Sequence, residues 1–258
     1  MERSKSMVEE LELAHLVSTI KDQLVMTYVE ETRSLAEALT KKTIELAQKN
    51  ESLHRLLLNT IESLAATLEA RDNYTEGHSR RVAMMAKATS QGLGWDQTFQ
   101  ESLEIAGLLH DLGKIGIPDA ILNKPARLTE REFARMKDHP LLAAQILGKI
   151  EGLEEIARWV RYHHERMDGQ GYPEGLAGKA IPLGARILAV ADAYDAMVSD
   201  RPYRQALSPE EAVLELQKGR GRQFDENILE VFLTVLDNPV LDNLEKSDHG
   251  IVVKSNPL

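Results

Sequence analysis

The chain reads as an all-α protein, and three observations carry that reading. From residue 7 to about 70 there is neither Pro nor Gly, and the segment is rich in Glu, Leu, Lys, Ala and Gln, which are strong helix formers. Downstream, short apolar stretches recur at helical spacing between caps and breakers. No stretch sustains period-two alternation with hairpin signals. The expected architecture is a multi-helix bundle preceded by a long N-terminal helix. The expected divisions are a helical segment over 1–67, a compact helical domain over 68–243 and a polar tail over 244–258.

In the first segment Leu39, Leu46, Leu53, Leu57 and Leu64 recur at spacings of seven and four, with Thr43, Asn50 and Thr60 on the same seam. This is a heptad with polar interruptions, an imperfect coiled coil that would pair two copies into a homodimer. Asn50 on the seam favours register over stability. The alternative is a helix that packs on its own domain. Upstream of Leu39 the heptad is hard to follow, and a separate or frayed helix is expected there. In the domain that follows, Val82, Met85, Ala86 and Leu93 mark one helical face; Leu103, Ala106 and Leu109 mark another, which ends at Gly113. Thr129-Glu-Arg-Glu132 and Ser208-Pro-Glu-Glu211 are capping boxes, in which a hydroxyl and a carboxylate satisfy free backbone donors reciprocally. Pro140 sits where a first helical turn tolerates it, and Ile156, Val160 and His163 share a face. Five Gly and two Pro between Asp168 and Gly184 make the one irregular segment, with room for a small hairpin.

Composition narrows the chemistry. With 258 residues, 43% of them hydrophobic and only 5% aromatic, a core of Leu, Ile, Val, Ala and Met is expected. There is no Cys, which excludes disulfides and thiolate metal sites; a metal here is held by His, Asp or Glu. A net charge of −10 argues against sequence-independent nucleic-acid binding, which needs Lys and Arg to neutralise phosphates. No run approaches the roughly 20 apolar residues of a membrane span, and the N-terminus leads into a charged amphipathic stretch. A soluble, cytoplasmic chain is expected.

Among eight His in the chain, His110 is followed by Asp111, His139 stands alone and His163-His164 are adjacent; Asp192 lies inside the apolar run from Ala185 to Val198. Hard and borderline ligands spread over one domain suggest a metal site built by bringing distant helices together. Two cations roughly 3.5–4 Å apart can share a water, lower its pKa and clamp a phosphate. Adjacent residues diverge by about 100° in a regular helix, so His110 and Asp111 cannot both address one cation from mid-helix. Taken singly, His78 or His139 could be an ordinary surface or core histidine, and Asp192 could be the ion-pair partner of Arg186.

Together these residues resemble the HD-GYP family, a branch of the HD hydrolase superfamily. The likeness runs from about Leu68 to Phe232. It rests on Arg71-Asp-Asn-Tyr-Thr-Glu-Gly-His78, His110-Asp-Leu-Gly-Lys114, His139-Pro140, His163-His-Glu-Arg-Met-Asp-Gly-Gln-Gly-Tyr-Pro173, Asp192-Ala-Tyr-Asp-Ala-Met197 and Arg201-Pro-Tyr-Arg204. The resemblance implies an HD-type bundle that hydrolyses cyclic di-GMP to the linear dinucleotide, and in some members on to GMP. It implies that His78, His110, Asp111 and Asp192 hold one divalent metal, and Asp111, His139, His163 and His164 a second. Asp111 would bridge the two; iron and manganese both suit this donor set. Asp111 and Lys114 would be catalytic, Lys114 contacting the scissile phosphate. Gly171, Tyr172, Pro173, Arg201 and Arg204 would bind substrate, and the Gly-Tyr-Pro loop would also dock partners such as GGDEF-domain proteins. Two departures stand out. Tyr74 replaces a Glu that ligates a third metal in some members, and a phenol is mostly protonated near neutral pH, so two metals are expected. Met167 stands where an aromatic residue is expected. Two other readings are a superfamily hydrolase of another cyclic or linear nucleotide, and a binding module that signals without turnover.

Overall fold

A computed structural model describes residues 2–72, 77–200 and 205–237. Tyr74, Arg201, Arg204 and the 244–258 tail lie outside the described residues. The described chain is helical throughout: α1 (Glu2–Glu69), α2 (His78–Gly92), α3 (Gln97–Leu109), a 3₁₀ turn (Leu112–Gly116), α4 (Asp119–Leu122), α5 (Glu130–Met136), α6 (His139–Leu147), α7 (Glu154–Tyr162), a second 3₁₀ turn (Gly178–Ala180), α8 (Leu183–Val198), α9 (Pro209–Lys218) and α10 (Glu226–Leu236). It divides into two compact units, Met1–Leu57 and Leu58–Leu258. No helix of the described residues is long and apolar enough to cross a membrane.

In the first unit the helix is continuous where a separate or frayed piece was expected upstream of Leu39. The heptad is lost there, but no Pro or Gly interrupts the backbone ladder, and helix propensity alone carries the chain through. Polar β-branched residues are accommodated because their hydroxyls donate to carbonyls one turn back, as Thr40 does to Ala36 and Thr43 to Leu39 (both 2.9 Å). The apolar seam stays uncovered within one chain, with Leu39 67% and Leu53 64% exposed.

The second unit is organised around α8, with α2, α3, α7, α9 and α10 packed about it. Leu103, Ile187, Leu188, Leu216 and Phe232 are fully buried in one apolar cluster; each such side chain contributes about 2 kcal/mol. Ile61 and Ala65 belong to that cluster, so the last turns of α1 are part of this unit's core. Two small residues set the helix spacing. A Cβ on Gly107 would lie 2.4 Å from the Ala83 Cα, and one on Gly184 would lie 2.2 Å from the Trp159 ring. Both predicted capping boxes form, at Thr129/Glu132 and Ser208/Glu211. The Gly-rich segment forms no hairpin; an isolated bridge between Asp168 and Ala177 is all that pairs there. The Glu165 carboxylate instead accepts from the Glu174 and Gly175 N–H groups at 2.7 and 2.9 Å. Arg186 pairs with Asp225 at 2.5 Å, which removes it as the ion-pair partner of Asp192.

Candidate metal centre

Helix ends converge on one cavity. α3 stops at Leu109 and α7 at Tyr162, while α2 and α6 begin at His78 and His139; Asp192 comes from within α8. His110 keeps helical backbone angles (φ −58°, ψ −35°), but Asp111 turns to φ −93°, ψ 4° and opens the 3₁₀ turn. That break removes the divergence that a regular helix would impose. His110 Nε2 comes within 3.5 Å of Asp111 Oδ2. At the end of α7, the His163 and His164 ring centroids lie 4.0 Å apart.

The donor atoms form three overlapping groups, each within 4.8 Å: His78, His110 and Asp192; His110, Asp111 and His163; His139, His163 and His164. Asp111 faces two ways, with Oδ2 3.8 Å from His78 Nε2 and Oδ1 3.4 Å from His139 Nε2. Asp192 Oδ1 is 3.4 Å from His78 Nε2, and its Oδ2 is 3.9 Å from His164 Nδ1. All seven residues expected to ligate metal are therefore neighbours.

Hydrogen bonds set the tautomers. Nδ1–H of His110, His139 and His163 donates to the carbonyls of Gly107, Met136 and Val160 at 2.7, 2.8 and 2.6 Å. Each Nε2 then presents a lone pair. His78 Nδ1 is held by Asp195 at 2.6 Å, which turns His78 Nε2 toward His110 Nε2, 3.2 Å away and beside a carboxylate. His139 Nε2 and His163 Nε2 are buried without a hydrogen-bond partner among the described residues; an unsatisfied buried group costs about 1–3 kcal/mol. Acceptors that converge on acceptors fit divalent cations, and nothing in the set is a thiolate.

The titration behaviour follows from this crowding. Burial, then His110 and His139, holds His163 down at about 3. Burial and neighbouring imidazoles also hold His164 well below its usual range, and burial lowers His139. These three rings are neutral near pH 7, as ligation requires. Burial opposes charge on Asp111, but Lys114 and the imidazoles outweigh it and keep the carboxyl well below the carboxylate range. Burial pulls His78 down, yet Asp192 and Asp195 outweigh it and carry it up to about 10. That corner of the cavity selects positive charge.

Lys114 Nζ lies 2.7 Å from Asp111 and 3.1 Å from Asp72 inside the pocket. The Tyr172 ring lies 4.8 Å from His164, and a Cβ on Gly171 would lie 2.5 Å from the Arg166 nitrogen. The Gly of Gly-Tyr-Pro is thus required by close backbone approach.

Sequence reasoning missed the residues that hold these groups. Asp195 orients His78 and takes a bidentate pair from Arg81 at 2.6 and 3.0 Å. Its position three residues after Asp192, on the same helix face, was the available signal. Glu69 accepts from the Gly77 and Ser79 N–H groups at 2.9 and 2.7 Å and so caps α2 at His78. Gly77 there has φ 71°, which favours glycine. Arg71 donates to the Ile115 and Ile117 carbonyls at 2.9 and 2.8 Å, fixing the turn that carries Lys114. Asp195→Asn is expected to weaken metal binding about 10- to 100-fold with helical content unchanged, as measured by competition with a chromogenic chelator. Unaltered affinity would remove Asp195 from the orienting role.

The fold and the donor set define an all-helical protein with buried His/Asp clusters suited to metal ions. A family model described as HD domain matches residues 62–228. The chain belongs to the HD domain family, and the motifs that resemble its HD-GYP branch all lie within the matched span. The chain is 38% identical over 208 residues to the cyclic di-GMP phosphodiesterase response regulator RpfG of Xanthomonas campestris pv. campestris, a match covering 78% of this chain and 55% of the relative. It is 38% identical over 206 residues to a cyclic di-GMP phosphodiesterase of Thermotoga maritima, covering 78% and 56%. The chain thus spans about half the length of these curated relatives. Its fold resembles that of the cyclic GMP-AMP specific phosphodiesterase V-cGAP3 of Vibrio cholerae, with a TM-score of 0.59 at 22% identity over 75% of this chain and 52% of that one.

Proposed function

We propose that this protein is a metal-dependent phosphodiesterase of bacterial second-messenger signalling that hydrolyses cyclic di-GMP, with linear pGpG or GMP as the end product. The observation that carries the reading is the two-sided placement of Asp111 between imidazole groups from separate helices. The two relatives named above for this activity support it. Two divalent cations, iron or manganese, would be held by His78, His110, Asp111 and Asp192 and by Asp111, His139, His163 and His164; they would supply a water of lowered pKa and charge for the phosphodiester.

The chain's own part is positioning and charge. The carbonyl bonds on Nδ1 keep the imidazoles aimed inward, and Asp195 does the same for His78. Lys114 stays protonated because Asp111 and Asp72 outweigh its burial, so it offers a fixed positive charge beside the donor set. Lys114→Ala is expected to lower turnover by about 10²–10³ and metal content far less; equal loss of both would make Lys114 structural.

Elemental analysis of anaerobically purified protein, paired with product analysis on cyclic and linear nucleotides, tests the whole reading. Stoichiometric metal with pGpG or GMP as product is the expected result. Bound cyclic di-GMP with no turnover at full metal occupancy would replace the enzyme by a binding module.

The uncovered seam of α1 supports a second copy of the chain as partner. Light scattering of the full chain should give a dimer, and removal of residues 1–57 a monomer. The cut falls before Leu58 because Ile61 and Ala65 belong to the core. An unchanged mass after truncation would remove α1 from the interface.

A further inference from the structure

The pocket extends past the metal centre and encloses about 480 Å³, a size that takes a small organic ligand. Away from the histidines its wall turns apolar, with Ile121, Leu122, Leu128, Phe133 and Met136 from α4, α5 and the loop between them. Among the described residues three Lys or Arg side chains line this pocket, and two are already engaged. Lys114 is held by Asp111 and Asp72, and Lys124 by Glu132 at 2.6 Å. The third, Arg127, is exposed and makes no hydrogen bond or ion pair among the described residues. All five donors of its guanidinium are therefore available to a ligand.

Phe133 is 46% exposed and lines the same wall. Lys137 Nζ sits 4.8 Å from its ring centroid and 5.3 Å from that of Tyr172. This cation ties the aromatic wall to the Gly-Tyr-Pro loop.

We propose that Arg127 and this apolar wall form a nucleobase subsite selective for guanine. The proposal rests on the reading of the pocket as a cyclic di-GMP site. A base offers a flat face that stacks on an aromatic ring and apolar side chains. A phosphate there would exchange its hydration for the Arg127 fork alone and leave the five apolar side chains without a matching surface, whereas a base uses both. The guanidinium fork matches the two adjacent acceptors of guanine, O6 and N7. Adenine presents N7 beside the N6 amino donor, so one arm of the fork would face another donor.

The test is calorimetric binding of cyclic di-GMP and cyclic di-AMP to the metal-loaded full chain, comparing wild type with Arg127→Met and Arg127→Lys. Circular dichroism and metal content verify that both variants are folded and loaded. Wild type should prefer cyclic di-GMP. Arg127→Met should lose about ten- to a hundredfold in cyclic di-GMP affinity and about twofold or less for cyclic di-AMP. Arg127→Lys keeps the charge but not the fork, and should recover little of the preference. Equal loss for both dinucleotides, no loss for either, or full recovery by Lys would overturn the subsite. Hydrolysis of bis(p-nitrophenyl) phosphate by wild type tests the metal-hydrolase reading separately. Failure there with the guanine preference intact and sensitive to Arg127 would sink the phosphodiesterase and support the subsite.

Discussion

Replacing His110 and Asp111 together by Ala should abolish both metal loading and cyclic di-GMP turnover while leaving the helical content nearly intact. Asp111 is the carboxylate placed to serve two groups of imidazoles, and His110 belongs to two of the three donor groups. Their loss leaves neither group complete. If the cations supply about 4 kcal/mol of transition-state stabilisation, turnover falls about a thousandfold. The fold tolerates the change because both residues follow the end of α3 and its backbone ladder stays intact. Lys114 keeps Asp72 as a partner, and His78 keeps Asp195. Elemental analysis and circular dichroism on the same preparation decide the matter. Undiminished activity would place the chemistry elsewhere.

Gly113→Ala should destabilise the domain by about 3 kcal/mol and lower metal occupancy with it, although residue 113 carries no ligand. A Cβ there would lie 1.8 Å from the His139 carbonyl oxygen and 2.7 Å from the Ala143 nitrogen. Both are backbone atoms, so no side-chain rotation relieves the clash, and α6 must shift. His139 begins α6, and its ring belongs to the site. A urea midpoint gives the stability, and metal content measured where the variant is still folded gives the displacement. Loss of stability with full metal content would mean that α6 yields without moving His139.

Local rules were readable without coordinates. The capping boxes at Thr129 and Ser208 depend on residues three apart, and both formed. The buried faces of Val82, Met85 and Ala86, and of Ile156, Val160 and His163, follow from 3.6-residue periodicity. Rules that needed a distant partner were not readable. Arg186 is six residues from Asp192 and was offered to it, but its guanidinium bonds Asp225, which holds the N-terminus of α10. The glycines between 168 and 184 suggested a hairpin, yet Glu165, buried at the foot of the loop, binds the N–H groups that a ladder would use.

By itself the sequence determined that the chain is helical, that a thiolate site is excluded, and which imidazoles and carboxylates are available to a metal. Those properties depend on residue type and on neighbours within a turn. Only the tertiary structure decided that His78, His110, Asp111, His139, His163, His164 and Asp192 come together, and that His110, His139 and His163 bind carbonyls through Nδ1 and keep Nε2 for a metal. It also supplied Asp195 as the support of His78 and left Arg127 at the pocket wall without a partner among the described residues. The reason is physical: the direction of a ring nitrogen is set by a carbonyl or carboxylate that packing brings to it, and packing joins residues that the chain keeps far apart.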